Sequence, residues 1–310
     1  MSSPEAPEDS QGDSNPSRDL RSVLVTSVLN LEPLGEDLFR YAPLATPPDI
    51  RPLADQLASG LQITGLWGSL RPTVSLVTPA GKLEIPVLYQ VKQIRTGTSF
   101  SLCSVKAVQH DKPIFICHAS FQKVQPSPIQ YQLSMPTVPP PEELLKYYTL
   151  INQYLKDLNF QDKYQMTVNQ SDADGMPLEI KLVNLSTLSQ LQNMEPKQMF
   201  WVRTRGFIGE GNIKMHCRVA AYISDFGFLD TIPLPHQHKQ HFKASLDHSM
   251  WFHAPFRADH WMLYECKSPY AGGSRGLVLG HLWRWDGVLA VTGAQEAVIR
   301  LKPQVSQSKL

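Results

Sequence analysis

Alternation of apolar and polar residues is strong along much of the chain from residue 86 onward. A period of two residues is typical of a strand with one buried face, because successive side chains of a strand point to opposite sides. The strands predicted from this pattern cover residues 86–91, 99–108, 113–121, 178–185, 198–205 and 247–253.

Two other stretches have helical spacing. Residues 142–155 follow a segment rich in proline, serine and glutamine and predict one helix. The second runs from about Ile213 to Phe226, where apolar side chains recur at intervals of four, three and four residues. This spacing predicts a buried helix with Asp225 at its carboxyl end.

The chain also contains an internal repeat. An offset of 175 residues aligns Tyr264 with Tyr89 and continues without a gap over about thirty residues. At the same offset, Gln295 falls on Ser120, so the two copies differ there. We therefore expect two similar units, only one of which carries a site.

Two polar residues are candidates for chemistry. Alternation from Val288 to Arg300 puts Gln295 on an otherwise apolar face, where a buried amide must be hydrogen-bonded. It is either a satisfied core side chain or an amide that holds a water or a substrate oxygen. Asp225 is either an exposed acid at the end of a helix or a general base. The residues alone leave both alternatives open.

Composition narrows the class of protein. The 310 residues are 42% hydrophobic and 18% charged with a net charge of +1, which describes a soluble globular protein. Such a charge gives no reason to expect nucleic acid as a partner, and no apolar run is long enough to span a membrane. The four cysteines lack metal-ligand spacing and are expected to be buried thiols, and the histidines at 236, 238 and 241 are interpreted as part of a polar loop.

Several long motifs in the second half resemble one family. The stretches D-H-S-M-W-F-H-A-P-F-R, W-M-L-Y-E, S-R-G and D-G-V-L-A-V-T-G-A-Q-E are similar to those of TesB-type acyl-CoA thioesterases. The resemblance implies an α+β double hotdog fold, in which each of two antiparallel sheets wraps around a central helix. It further implies hydrolysis of fatty acyl-CoA without a metal or organic cofactor, with a water held by Asp225, Ser245 and Gln295. The histidines of the first motif are expected to be structural.

The resemblance also suggests a division into units. We expect a disordered tail at 1–19, a first hotdog unit at 20–124, a linker at 125–145, a second unit at 146–303 and a tail at 304–310. Residues 42–84 depart from the family pattern, so the first unit is expected to be incomplete and to lack its core helix. The catalytic residues all fall in the second unit.

The last three residues, Ser308-Lys309-Leu310, match the S-K-L motif of peroxisomal targeting signals. We therefore expect an import receptor as a partner and the peroxisomal matrix as the location. Formation of a homo-oligomer is left open. Two other functions also remain open: an acyl-CoA-binding or dimerising relative without activity, and a hotdog enoyl-CoA hydratase.

Overall fold

The computed structural model describes residues 32–34, 38–41, 73–77, 85–146, 149, 177–183, 194–236 and 241–301. Its strands are β1 (Glu32–Pro33), β2 (Leu38–Tyr41), β3 (Thr73–Val77), β4 (Val87–Thr96), β5 (Phe100–Gln109), β6 (Lys112–Gln122), β7 (Leu178–Leu182), β8 (Lys197–Thr204), β9 (His241–Ser245), β10 (Asp247–Phe252), β11 (Met262–Gly272), β12 (Arg275–Arg284) and β13 (Leu289–Leu301). The α-helices in these ranges are α1 (Ile213–Ser224) and α2 (Phe228–Thr231), and 3₁₀ turns lie at Pro141–Glu143 and Leu234–His236.

The described strands join in one 13-stranded antiparallel sheet made of two similar halves. The first half has the order β2-β4-β5-β6-β3, and the second half has the corresponding order β8-β11-β12-β13-β10. The halves meet where β3 pairs with β10, with Ser75 opposite Ser249. This arrangement and the buried α1 are those of the predicted α+β double hotdog.

The predicted repeat is present, with one correction. Strands β11 and β12 begin at residues 262 and 275, each 175 residues after β4 and β5, which begin at 87 and 100. However, Val278 on β12 pairs with Gln295, whereas Cys103 on β5 pairs with Ala119. Gln295 is therefore equivalent to Ala119, and its alignment with Ser120 was wrong by one residue. The cause is one extra residue in the hairpin between β12 and β13.

The helix α1 fills the core of the second half. Its amino end is capped by Asn212, whose side chain accepts a hydrogen bond from the backbone N–H of Met215. Eight residues on several sides of α1 are buried, so the helix is enclosed rather than laid on a surface. At its carboxyl end, the Tyr264 hydroxyl on β11 donates to the carbonyl of Ser224 at 2.7 Å. This bond ties the end of the helix to the sheet.

The predicted helix at 142–155 is wrong at its beginning. Residues Pro141–Glu143 form a 3₁₀ turn, and Leu144 is extended, with φ of −103° and ψ of 142°. Leu144 packs against a small apolar cluster formed by Trp201, Leu263, Trp283 and Leu289, and this burial outweighs helical spacing. Leu145 and Lys146 are not helical, Thr149 is helical, and the other residues of the predicted helix lie outside the described residues.

The segment 123–140 forms no regular helix or strand, and its Met135 and Val138 pack against that cluster. The Trp201 indole donates from Nε1 to the carbonyl of Pro139 at 2.9 Å. The amide of Gln132 donates to Gly287 at 2.8 Å and accepts from the backbone N–H of Leu289 at 3.1 Å. These contacts attach the segment to the second half of the sheet.

Some predictions fall outside the described residues. They include the two tails, the missing core helix of the first unit and most of the atypical stretch 42–84, of which only β3 is described. Within the described ranges, no helix is long and apolar enough to cross a membrane.

Replacement of Trp201 by Phe is expected to loosen the segment 123–140. The variant loses the indole hydrogen bond to Pro139 and leaves space in a buried cluster, which costs about 1–3 kcal/mol. Urea denaturation measures the free energy of unfolding, and limited proteolysis measures cleavage between 123 and 140. Trp251→Phe at an exposed position is the matched control, with an expected change below about 0.5 kcal/mol. Equal effects of the two substitutions would contradict this role for Trp201.

Candidate active site

Asp225 lies immediately after α1 as its carboxyl cap and is only 3% exposed. The next turn is held by Gly227, whose φ of 83° is in the left-handed region that favours glycine. Gln198 on β8 donates from Nε2 to the carbonyl of Gly227 at 2.5 Å and to the hydroxyl of Thr231 at 2.6 Å. The carboxyl group therefore sits between the end of a core helix and a fixed turn.

Ser245 and Gln295 meet on neighbouring strands. Ser245 ends β9 opposite Ala297 on β13, two residues beyond Gln295. The amide nitrogen of Gln295 donates to the Ser245 hydroxyl oxygen at 2.8 Å. Gln295 is 1% exposed and lies on the buried face predicted from the alternation.

The amide oxygen of Gln295 is satisfied by a histidine. His248 on β10 is fully buried, and its Nδ1 lies 2.5 Å from Gln295 Oε1. Its other ring nitrogen, Nε2, lies 2.9 Å from the hydroxyl oxygen of Ser224. The side chains of Ser224, His248, Gln295 and Ser245 thus form one hydrogen-bonded chain, which we call the site network.

Burial determines the charge state of His248. Removal from water lowers the pKa of His248 because the charged ring is poorly solvated. The charge of Asp225, the hydrogen bond to Gln295 and the charge of Asp247 oppose this shift. Burial dominates, so the ring is neutral at neutral pH and carries a proton on one nitrogen.

A pair of glycines makes room for the ring that packs on His248. Gly280 on β12 is directly opposite Gly293 on β13. The ring of Phe228 lies over this pair, and a Cβ added at Gly280 would come within 2.5 Å of it. Phe228 also stacks on His248, with ring centroids 5.6 Å apart. The glycines therefore allow the sheet, α2 and the site network to pack together.

The structure brings the three predicted site residues into one region. Ser245 and Gln295 are hydrogen-bonded to each other, and Asp225 follows Ser224, which bonds to the same network. The contacts of His248 with Ser224 and Gln295 were not predicted from the sequence. A signal existed, because alternation places His248 on the same face as Met250 and Phe252, and a histidine on a buried face needs partners.

The neighbouring acid does not join the site network. Asp247 accepts a hydrogen bond from the backbone N–H of Glu296 at 2.8 Å. Asp259, which His260 follows in the sequence, accepts hydrogen bonds from Arg257 and from the backbone N–H of Ile208. The adjacent residues Asp247 and His248 are therefore not a hydrogen-bonded pair, and neither are Asp259 and His260. Across the described ranges, no group of three or more histidine, cysteine or acidic side chains could hold a metal ion.

Comparison with known proteins shows close relatives. The acyl-CoA thioesterase family model matches residues 167–307. Acyl-coenzyme A thioesterase 8 of Homo sapiens is 64% identical over 321 aligned residues, which cover 100% of each chain. Acyl-CoA thioesterase 2 of Haemophilus influenzae is 31% identical and covers 80% of this chain and 85% of its own. The peroxisomal acyl-coenzyme A thioester hydrolase 1 of Saccharomyces cerevisiae is 24% identical, with coverage of 64% and 70%.

A solved structure agrees with these relatives. The acyl-CoA thioesterase II TesB2 from Mycobacterium marinum superimposes with a TM-score of 0.69 and 28% sequence identity. The match covers 89% of this chain and 97% of that chain.

Substitution of Gly280 by Ala is expected to disturb the packing of Phe228. The new methyl group would lie 2.5 Å from the Phe228 ring and 2.6 Å from the Tyr264 hydroxyl, so both rings must move. Overpacking of this kind costs about 1–3 kcal/mol, which thermal denaturation measures as a lower melting temperature. Gly211→Ala, where no atom lies within 4 Å, is the control. If the two variants have the same melting temperature, Gly280 is not required for the packing of Phe228.

Proposed function

The chain belongs to the acyl-CoA thioesterase family, and on this basis we propose that it hydrolyses acyl-CoA to a free fatty acid and CoA. In the proposed site, Asp225, Ser245 and Gln295 hold the attacking water. The observation that carries the assignment is the 2.8 Å bond from Gln295 to Ser245, next to the helix end that bears the buried carboxyl group.

Each residue has a separate part in the reaction. Asp225 acts as general base and takes a proton from the water as the water oxygen bonds to the thioester carbonyl carbon. The carbon–sulfur bond then breaks, and CoA leaves as a thiolate that takes up this proton. Because a thiolate is a good leaving group, little acid assistance is needed.

Ser245 and Gln295 orient the water. The Ser245 oxygen accepts from the Gln295 amide, so its own proton can be donated to another acceptor. An amide nitrogen has two protons, and the bond to Ser245 uses one of them. We assign the second to the water or to the carbonyl oxygen of the substrate. Fixing the water in this way replaces a random encounter by a positioned one.

An enoyl-CoA hydratase is less well supported. That reaction class would use an acid and a histidine together, and Asp247 is instead bound to the backbone of β13. A protein that binds acyl-CoA without hydrolysing it is distinguished from a thioesterase by the assay of thiol release given below.

Replacement of Asp225 by Asn is expected to lower kcat by about 100-fold or more, because the variant lacks the general base. The assay measures thiol release from fatty acyl-CoA, and thermal denaturation confirms that the variant is folded. Asp286→Asn, at an exposed acid, is the matched control and should keep full turnover. Unchanged turnover in Asp225→Asn would refute its role as the base. A wild-type protein that is stabilised by acyl-CoA but releases no thiol would instead be a binding protein.

We further propose that the protein acts in the peroxisomal matrix. The support is the terminal Ser308-Lys309-Leu310, which lies outside the described residues, and the yeast relative, which is named as a peroxisomal enzyme. A fluorescent protein fused to the amino terminus leaves this tripeptide exposed to an import receptor. The fusion should colocalise with a peroxisomal marker, and deletion of residues 308–310 should disperse it. The same distribution for both forms would exclude the tripeptide as the signal.

A further inference from the structure

The proposed reaction leaves the most deeply buried polar residue of the site network without a part. His248 is fully buried and bonds to two side chains, Ser224 and Gln295. Of these two partners, Gln295 is the one that belongs to the proposed site. The effect of His248 on the reaction therefore depends on what it does to that amide.

The two ends of an amide are nearly the same size but differ in hydrogen bonding. With the nitrogen towards Ser245, Gln295 donates and the serine oxygen accepts. With the oxygen towards Ser245, the serine would have to donate its proton to Gln295. The orientation of this amide thus decides which hydrogen-bonding role Ser245 can take towards the water.

We propose that His248 is a positioning residue whose Nδ1–H holds the oxygen of Gln295 and thereby keeps the Gln295 nitrogen directed at Ser245. This inference rests on the proposed function of Gln295 and Ser245. It assigns the proton to Nδ1, because the group facing that nitrogen at 2.5 Å is an amide oxygen, which can only accept.

Ser224 is suited to fix the same proton position. In a neutral histidine that is protonated on Nδ1, Nε2 is an acceptor and requires a donor. The Ser224 hydroxyl lies 2.9 Å from Nε2 and is placed to donate to it. The same hydroxyl is 2.8 Å from the carbonyl of Ala221 and 3.4 Å from Met250 Sδ, so its single proton has three possible acceptors, of which Nε2 is one. Ser224 directly precedes Asp225, so the hydroxyl that favours a proton on Nδ1 of His248 lies at the same end of α1 as the proposed base.

The surroundings keep the ring in place. Phe228 stacks on one face of His248 at a centroid distance of 5.6 Å and an interplanar angle of 27°. Burial lowers the pKa of His248 and so keeps the ring neutral, with one donor and one acceptor nitrogen. A ring of this kind imposes a direction on the hydrogen bonds of the site network.

The first half of the sheet indicates that this polar pair is not needed for folding. Ser249 pairs with Ala294, and the next step along the ladder brings His248 opposite Gln295. At the equivalent step between β3 and β6, Val74 pairs with Ala119. The same strand pairing therefore forms with two apolar residues. A buried polar pair in the second half alone is consistent with a function in the reaction.

Two substitutions of His248 distinguish the roles of its two ring nitrogens. The amide nitrogen of Asn can replace Nδ1, whereas that of Gln is placed near Nε2. We expect His248→Gln to lower kcat for thiol release by about 10- to 100-fold, with KM within about twofold, because Gln295 loses its partner. His248→Asn keeps a donor to Gln295 and should retain kcat within about threefold.

The same substitutions in a Gln295→Ala background test whether His248 acts through the amide. With no amide to orient, His248→Gln and His248→Asn should each change kcat by less than about twofold. The proposal would be overturned if His248→Gln lowered kcat in the Gln295→Ala background by the same factor as in the wild-type background. It would also be overturned if His248→Asn and His248→Gln lowered kcat equally in the wild-type background. Wild-type kcat in a folded His248→Gln variant would overturn it as well.

One further measurement uses the wild-type protein and does not depend on a variant that folds. Nitrogen-15 NMR of the wild-type imidazole should show a proton on Nδ1 and none on Nε2 of His248, and the reverse would overturn the inference. The outcomes also separate the two levels of the argument. If Asp225→Asn and Gln295→Ala keep full activity, the proposed site itself is wrong. If they lose activity and His248→Gln does not, only the role of His248 is wrong.

Discussion

A buried amide has to be hydrogen-bonded at both its oxygen and its nitrogen, and at Gln295 this requirement joins four parts of the fold. The nitrogen contacts Ser245 at the end of β9, and the oxygen contacts His248 on β10. His248 in turn contacts Ser224 at the end of α1. Each lost partner would cost about 1–3 kcal/mol, and a slip of one residue in β13 would turn Gln295 to the opposite face of the sheet. The site network therefore depends on strand register.

The packing around the site network depends on the absence of side chains as much as on their presence. Gly280 and Gly293 are paired across two strands and leave a flat area on the inner face of the sheet. Phe228 fills that area and contacts His248, while the left-handed Gly227 turns the chain from α1 to α2. The position of Asp225 at the helix end is thus linked to the same contacts that hold the histidine ring.

Much of the fold could be predicted from local pattern. Alternation located β4 to β8, β10 and β13, and the spacing of apolar residues located α1 with Asp225 at its end. Strand β9 was not predicted, and the interpretation of His241 as part of a polar loop was wrong, because this residue begins β9. Gln295 stood out because it is polar on an apolar face. The side chains it contacts could not be predicted, since strand pairing joins residues that are far apart in sequence. The alignment of Gln295 with Ser120 was also wrong, because the extra residue in the hairpin between β12 and β13 shifts the strand pairing. The alternation within β13 does not reveal this shift. At Leu144, burial against a distant cluster replaced the expected helix.

The two halves of the sheet show how one fold can separate stability from chemistry. At equivalent positions, the first half has Val74 opposite Ala119, and the second half has His248 next to Gln295. Because a buried polar pair has to exchange its bonds with water for bonds inside the protein, it adds little net stability compared with an apolar pair. The polar pair instead fixes the orientation of its side chains, because each donor has to face an acceptor. Apolar side chains impose no such orientation. A repeated fold can bear this restriction in one copy while the other copy retains the simpler core.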